Sequence, residues 1–411
     1  MNMHDHTRGA PSRQVMSRPA PVRFAALDSW RGIAAILIVL FHAQIVSNIH
    51  QLEIVRLAEI AVDFFFVLSG FVIVHAYLPR LTDGGSVTKF LFLRLGRLYP
   101  LHLFMLGLFL LFEIAKSSLP FPTNPVDPAF SGTNGPQFLI SNLLLVHAIW
   151  PFDTLSWNTP SWSISAEFIA YVLFALAVLL ARRQLPYLLA AVLVLAPLAI
   201  HFFAEGGMNA TYRMGAMRAI YGFAAGALAY IVLRKWIHAT RAPRSGRGWL
   251  GWSIMEITAV VLAFWLIIHA KGTLLAYAAP LAFAAMVPIF AIERGIVSDL
   301  LKRPLPLFIG TLSYSIYMTH IFIQLRMTNI ARLSDSAFDT GFLSQVGPTE
   351  RYGIGIDPGN LFVGDMLMVV MLGLTIAFSY LTWRFVERPG QALFRHWSDF
   401  IFIRRDSRVP A

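Results

Sequence analysis

The sequence predicts an all-α fold of the polytopic membrane class: about ten transmembrane helices plus one short re-entrant or interfacial segment. Three observations carry this. Charged residues make up 13% of the 411, where a soluble domain carries about a quarter. Hydrophobic residues reach 57%, and apolar runs near the ~20 residues that a helix needs to cross a bilayer recur from residue 27 to residue 383. Aromatic residues at 13% exclude a mainly disordered chain. Cys is absent, which excludes disulfides, thiolate metal sites and cysteine nucleophiles.

The elements follow in chain order. Residues 1–24 are polar, with prolines and Arg8, Arg13, Arg18 and Arg23, and lack the apolar core of a removable signal peptide. They read as a disordered basic cytoplasmic tail. A membrane domain follows over 25–390. Its expected crossings are 27–47, 57–78, 98–115, 160–181, 184–203, 214–233, 252–270, 272–292, 306–328 and 361–383. The stretch 138–150 is too short to cross and lies between a proline-rich loop and Pro151, so it reads as re-entrant or interfacial. Residues 391–411 read as a second basic cytoplasmic tail.

Charge orients the bundle. The net charge of +11 would suggest a polyanion partner in a soluble protein. If 138–150 does not cross and the N-terminus is inside, 25 of the 33 Lys and Arg residues fall on the inner side. That is the positive-inside pattern, with both termini cytoplasmic and no call for nucleic acid. The segment 329–360 reads as a lid, a substrate loop or a plain connector. Gly222-x-x-x-Gly226 reads as a helix-packing feature.

Ionisable groups within spans are costly and mark candidate sites. Arg31 and His42 share one face of the first span, ~16 Å apart along it at 1.5 Å per residue. Asp63 lies ~9 Å into the second span, with Gly70 on its face. Glu167 lies at similar depth in the fourth, flanked by Ser163 and Tyr171. Ser313, Tyr317, His320 and Gln324 form a polar stripe on the ninth. His42, Asp63, Glu167 and His320 are therefore expected in one depth band. At the inner face Arg94 and Arg97, spaced i,i+3, stand near Arg31, as either topology anchors or an anion site.

Six motifs then point to one family. These are Leu27-Asp28-Ser29-Trp30-Arg31-Gly32 with His42 beyond it, Val62-Asp63-Phe64-Phe65-Phe66-Val67-Leu68-Ser69-Gly70, and Arg94-x-x-Arg97-Leu98-Tyr99-Pro100. Trp162-Ser163-x-x-x-Glu167, Gly310 to His320, and Glu387-Arg388-Pro389 complete the set. In this order they resemble the acyltransferase 3 family over about residues 25–390. The resemblance implies an integral enzyme of the bacterial cytoplasmic (inner) membrane that O-acylates sugars of envelope glycans. It implies acyl-CoA, acetyl-CoA first, as donor substrate rather than as a resident cofactor, and no metal.

On that basis Arg94, Arg97 and Arg31 are expected to hold the donor phosphates. His42 is expected as general base or transient acyl carrier, with Glu167 or Asp63 orienting it. Tyr317 and His320 are expected at the acceptor. Ser69, Tyr314 and backbone near Gly70 are candidates for steadying the oxyanion, and Trp162 is a further substrate contact. Partners expected are the bilayer, the glycan acceptor, and either a periplasmic protein or a second copy of the chain. The alternative is a proton-coupled transporter or exporter of a small metabolite or glycan precursor, since intramembrane His and carboxylates also suit proton relays. A scaffold glued by polar groups is the third reading.

Overall fold

The computed structural model describes residues 23–118, 128–149, 151–152, 155–211, 213–241, 248–346 and 354–406. The expected N-terminal tail lies outside the described residues up to residue 22, as do 119–127 of the proline-rich loop and 347–353 of the segment 329–360.

Among the described residues ten helical stretches are long and apolar enough to cross a membrane. The helices are α1 (Ala25–His42), α2 (Ala61–Tyr77), α3 (Gly84–Ser118), α4 (Ser161–Ala181), α5 (Leu185–Phe203), α6 (Gly215–Thr240), α7 (Trp249–Ala270), α8 (Ala279–Ile292), α9 (Pro304–Phe338) and α10 (Leu361–Thr382). The stretches that end in α2 and α8 begin in the preceding 3-10 turns, at Ala58 and Leu274, and each of the ten matches one expected crossing. Three are longer than the hydropathy suggests, α6 by running to Thr240 rather than 233, and α1 is shorter, ending at His42 rather than 47. Helix α3 starts at Gly84 rather than near residue 98, and α9 runs to Phe338 rather than 328. Apolar runs mark only the part of a helix that lipid touches; polar turns such as Ser86–Lys89 continue the same hydrogen-bond ladder into water.

The start of α3 is fixed by a reciprocal cap. Asp83 Oδ1 accepts from the Ser86 amide at 2.9 Å, and Ser86 Oγ accepts from the Asp83 amide at 3.1 Å. The Thr82 hydroxyl, followed by the Ser86 amide, holds the Asp83 carboxyl below its ordinary range. The cap sets the rotation of the helix that carries Arg94 and Arg97.

The stretch 391–411, expected as a tail, is helical as far as it is described. A π-turn, Trp383–Glu387, links α10 to α11 (Arg388–Asp406). Helix α11 packs on α3: Gly96 faces the Phe394 side chain, and Gly390 faces the Pro100 ring.

The segment 138–150 does not cross. A 3-10 turn, Pro136–Phe138, leads into it, and it holds one short helix, Leu139–Leu143. The Tyr99 hydroxyl donates to the Leu143 carbonyl at 3.0 Å, and His102 Nε2 to the Asn142 carbonyl at 2.9 Å. Ser165 Oγ on α4 donates to the Leu145 carbonyl at 2.6 Å. Tyr99 and His102 lie in the middle of α3, so the short segment is packed against that helix. Its irregular backbone is satisfied by protein, as an apolar surrounding requires.

Two helix seams organise the bundle, α2 on α6 and α1 on α9. Both are made by glycine. A Cβ at Gly226 would occupy the place of the Val67 carbonyl, and one at Gly70 that of the Phe223 carbonyl. A Cβ at Gly32 would come within 2.6 Å of the Gly310 amide nitrogen. The packing role expected for Gly222 and Gly226 is what the seam shows, and Gly70 shares it. Beyond α9, β1 (Leu343–Gln345) pairs antiparallel with β2 (Ile354–Ile356). Val46 donates to the Ile356 carbonyl at 2.9 Å and Ile356 to the Gln44 carbonyl at 2.8 Å, tying this hairpin to the end of α1.

Candidate active site

Two neighbouring cavities of the bundle meet at Val62 and Tyr317, which line both. The first, about 130 Å³, is walled by α1, α2, α3, α4 and α9 and brings Arg31, Arg94 and Arg97 together with Ser69, Glu167 and Tyr314. Arg31 Nε donates to Ser313 Oγ at 2.8 Å, and Arg31 Nη2 stands 3.5 Å from Asp28. Arg94 Nη2 donates to the Tyr77 hydroxyl at 2.7 Å, and its buried Nε has no partner among the described residues. Arg97 reaches Glu387 only at 3.9 Å. Three guanidiniums thus share a small space in which none makes a close bidentate carboxylate pair. The arrangement suits a polyanionic group such as a chain of phosphates.

The second cavity, about 410 Å³, holds His42, Trp162, Arg218, Gln324 and Ile356. Its reactive group can be read atom by atom. His320 Nδ1 lies 2.7 Å from the Tyr317 carbonyl oxygen. A carbonyl only accepts, so Nδ1 carries the hydrogen and Nε2 of the neutral ring is bare. That bare nitrogen is 3.3 Å from His42 Nδ1, which also lies 3.0 Å from the Ile38 carbonyl. One hydrogen on His42 Nδ1 serves both acceptors. His42 Nε2 is then the unprotonated nitrogen, with no hydrogen-bond partner among the described residues. A neutral imidazole with a free lone pair on a cavity wall is a base or nucleophile.

The expected depth band divides. Only His42 and His320 touch. Asp63 does not orient His42: it is closed in a bidentate pair with Arg218, Nε to Oδ1 and Nη2 to Oδ2 both at 2.8 Å, with both side chains buried. Glu167 does not orient it either. Its Oε1 accepts from Ser69 Oγ at 2.6 Å and from the Tyr171 hydroxyl at 2.5 Å, on the wall of the arginine cavity. Depth read from sequence places a residue along its helix but not around the bundle, and here the carboxylates turn to α6 and α2 instead of α1.

The remaining candidates are placed as follows. Ser69 gives its hydrogen to Glu167, and Tyr314 donates to the Leu98 carbonyl at 2.5 Å, so neither hydroxyl hydrogen is free for an oxyanion. Tyr317 stands at the junction, its hydroxyl 2.8 Å from Ser163 Oγ. Trp162 lies on the histidine cavity, with the Arg218 guanidinium 6.0 Å from its ring centre.

Two residues were missed. Arg218 reads in the sequence as one more outer cation, although a charge on a helix rich in Gly and Ala calls for a buried partner. Glu387 appears only as part of the last motif. It is buried at the π-turn, where Oε2 accepts from Ser315 at 2.7 Å and Oε1 faces Arg97. That turn brings it beside Arg97 of the arginine cavity.

The family model described as an acyltransferase domain, that of acyltransferase 3, matches residues 24–384. Over 176 residues the chain is 36% identical to acyltransferase MdmB of Streptomyces mycarofaciens, which is 40% of this chain and 42% of that protein. The match thus spans less than half of that relative. Over 171 residues it is 36% identical to protein 2 in the picA locus of Rhizobium radiobacter, 39% of this chain and 85% of that protein. No solved structure matches.

Proposed function

The chain belongs to the acyltransferase 3 family, and on that premise we propose that it is a membrane-embedded O-acyltransferase. It moves an acyl group, acetyl in the first instance, from cytoplasmic acyl-CoA to a hydroxyl of a sugar or envelope glycan. One observation carries the proposal: a cavity lined by three arginines meets, at Val62 and Tyr317, a cavity lined by a histidine with a free ring nitrogen. The positive-inside pattern supports a cytoplasmic arginine cavity, both termini inside and a bacterial inner-membrane location. Residues 25–390 then form the catalytic membrane domain, between the N-terminal tail and α11 on the cytoplasmic side.

Arg31, Arg94 and Arg97 bind the CoA phosphates by charge-assisted hydrogen bonds. The uncharged pantetheine arm carries the thioester past Tyr317. His42 Nε2 takes the proton of the acceptor hydroxyl as its oxygen attacks the thioester carbon. The Tyr317 hydroxyl, with Ser163 Oγ giving its hydrogen to the phenol oxygen, donates to the tetrahedral oxyanion. Collapse expels the CoA thiolate, which takes the proton back from the imidazolium. His320 acts through His42: its bare Nε2 fixes the His42 tautomer, the part first assigned to a carboxylate. Glu167, Ser69 and Trp162 line the two chambers as substrate contacts, and Asp63 keeps Arg218 in place on the wall of the histidine cavity.

The test is direct. Purified protein given acetyl-CoA and the de-acylated surface glycan of cells lacking it should release CoA and acetylate the glycan. Mass spectrometry should show the same acyl groups lost from cells carrying His42→Ala. Movement of solute across vesicles with no thioester consumed would favour the transporter reading instead.

A further inference from the structure

Beside Arg218, which also lines the histidine cavity, lies another opening of about 410 Å³. Its walls are the turn Ala58–Ile60, the loop 205–209 and the segment 271–277. Glu59, Asn209 and Arg218 line both this cleft and the histidine cavity, so the two openings adjoin along these three residues. No step of acyl transfer uses it.

The wall has a specific chemistry. Its carboxylates are neutralised in place: Lys271 Nζ is 3.6 Å from Glu59, and Arg213 Nη1 is 2.5 Å from Glu205. An ion would find little net charge there. What remains is neutral hydrogen-bonding capacity beside an aromatic ring. The Asn209 side-chain amide has no partner among the described residues. His201 Nδ1 is 3.4 Å from the Tyr277 hydroxyl, and the Tyr277 ring stands beside them. Gly207, at φ +53, shapes the loop so that the phenol fits: a Cβ there would come within 3.1 Å of the Tyr277 oxygen. Amide, imidazole and phenol both give and accept hydrogen bonds, as a polyol requires. A ring supplies a flat apolar face for the C–H side of a sugar.

We propose that this cleft is a second acceptor subsite, holding the sugar unit next to the one acylated beside His42. The inference rests on the acyl-transfer reading. It makes the enzyme selective for a glycan longer than one unit.

Fragments of one and two sugar units, made by partial hydrolysis of the de-acylated surface glycan, serve as acceptors for the purified protein with acetyl-CoA. The readout is the ratio of kcat/KM for two units over one. It should be about tenfold or more, the order of one or two added hydrogen bonds. In Tyr277→Ala and in His201→Ala it should fall towards one. A merely structural defect lowers both rates together and leaves the ratio intact, and His201→Ala carries the test if Tyr277→Ala does not fold. A wild-type ratio near one, or an unchanged ratio in both variants, overturns the subsite. Folded wild-type protein that acylates neither fragment nor the whole glycan overturns the transfer reading, and the subsite with it.

Discussion

The α2–α6 and α1–α9 seams are built alike and end differently. In each, glycine brings two backbones to a distance that no side chain would allow. Each carries ionisable groups that are expensive in a bilayer. Across the first seam the groups cancel: Asp63 and Arg218 satisfy each other in two bonds, and Arg218 Nη2 adds the Glu59 carbonyl at 3.1 Å. Across the second they form a chain with a loose end. The Tyr317 carbonyl fixes His320, His320 fixes His42, and His42 Nε2 is left facing a cavity. A buried polar group that is fully paired contributes shape. One left unpaired at the end of a paired chain contributes chemistry.

The two seams should therefore fail in different ways. The largest effect is expected at His42. His42→Ala should lower acyl transfer by at least about a hundredfold, the usual contribution of a positioned general base, with thermal unfolding of the purified protein unchanged. Arg218→Ala should act on the fold, costing about 3–5 kcal/mol because Asp63 is left buried without a counter-charge. Thermal or denaturant unfolding in detergent would measure this. The double variant Asp63→Leu/Arg218→Met should recover much of that loss, since an apolar pair is no worse than an ionic one in such a place. A double variant as unstable as the single would show that the pair does more than neutralise itself.

Smaller effects separate binding from turnover. Arg94→Ala should raise the KM for acetyl-CoA about tenfold or more, the worth of a hydrogen bond to a charged group, with little change in kcat. Steady-state kinetics with varied acetyl-CoA decides this, and a pure kcat defect would remove Arg94 from donor binding. The smallest effect is expected at His320. His320→Leu should lower kcat about tenfold while KM holds, because His42 loses the acceptor that fixes its tautomer. His320→Gln, with an amide oxygen to accept in its place, should retain more activity than His320→Leu.

The same contrast shows how far the sequence could be read. The bundle was legible because hydropathy accumulates over each crossing, and because Lys and Arg placement gives 138–150 no crossing to make. The arginine cavity was legible because Arg94 and Arg97 share a helical face and Arg31 enters from the same end. His42 and His320 were legible as depth but not as a contact. Asp63 and Arg218 lie 155 residues apart, and nothing in either helix's own pattern says that α2 packs on α6. Glu167 carried the same ambiguity: its position along α4 was right, but rotation turned it to Ser69 and Tyr171 instead of His42. Helix periodicity fixes one helix's faces, and only packing decides which face meets which neighbour.

One measurement bears most directly on the free nitrogen of His42. Purified protein, loaded with radiolabelled acetyl-CoA and mixed with the de-acylated glycan, is followed through a single turnover for wild type and His42→Ala. Wild type should pass the label to the glycan; His42→Ala should bind acetyl-CoA with the same affinity and pass on none above background. Substantial transfer by folded, acetyl-CoA-binding His42→Ala would contradict the assignment of His42 as the reactive group.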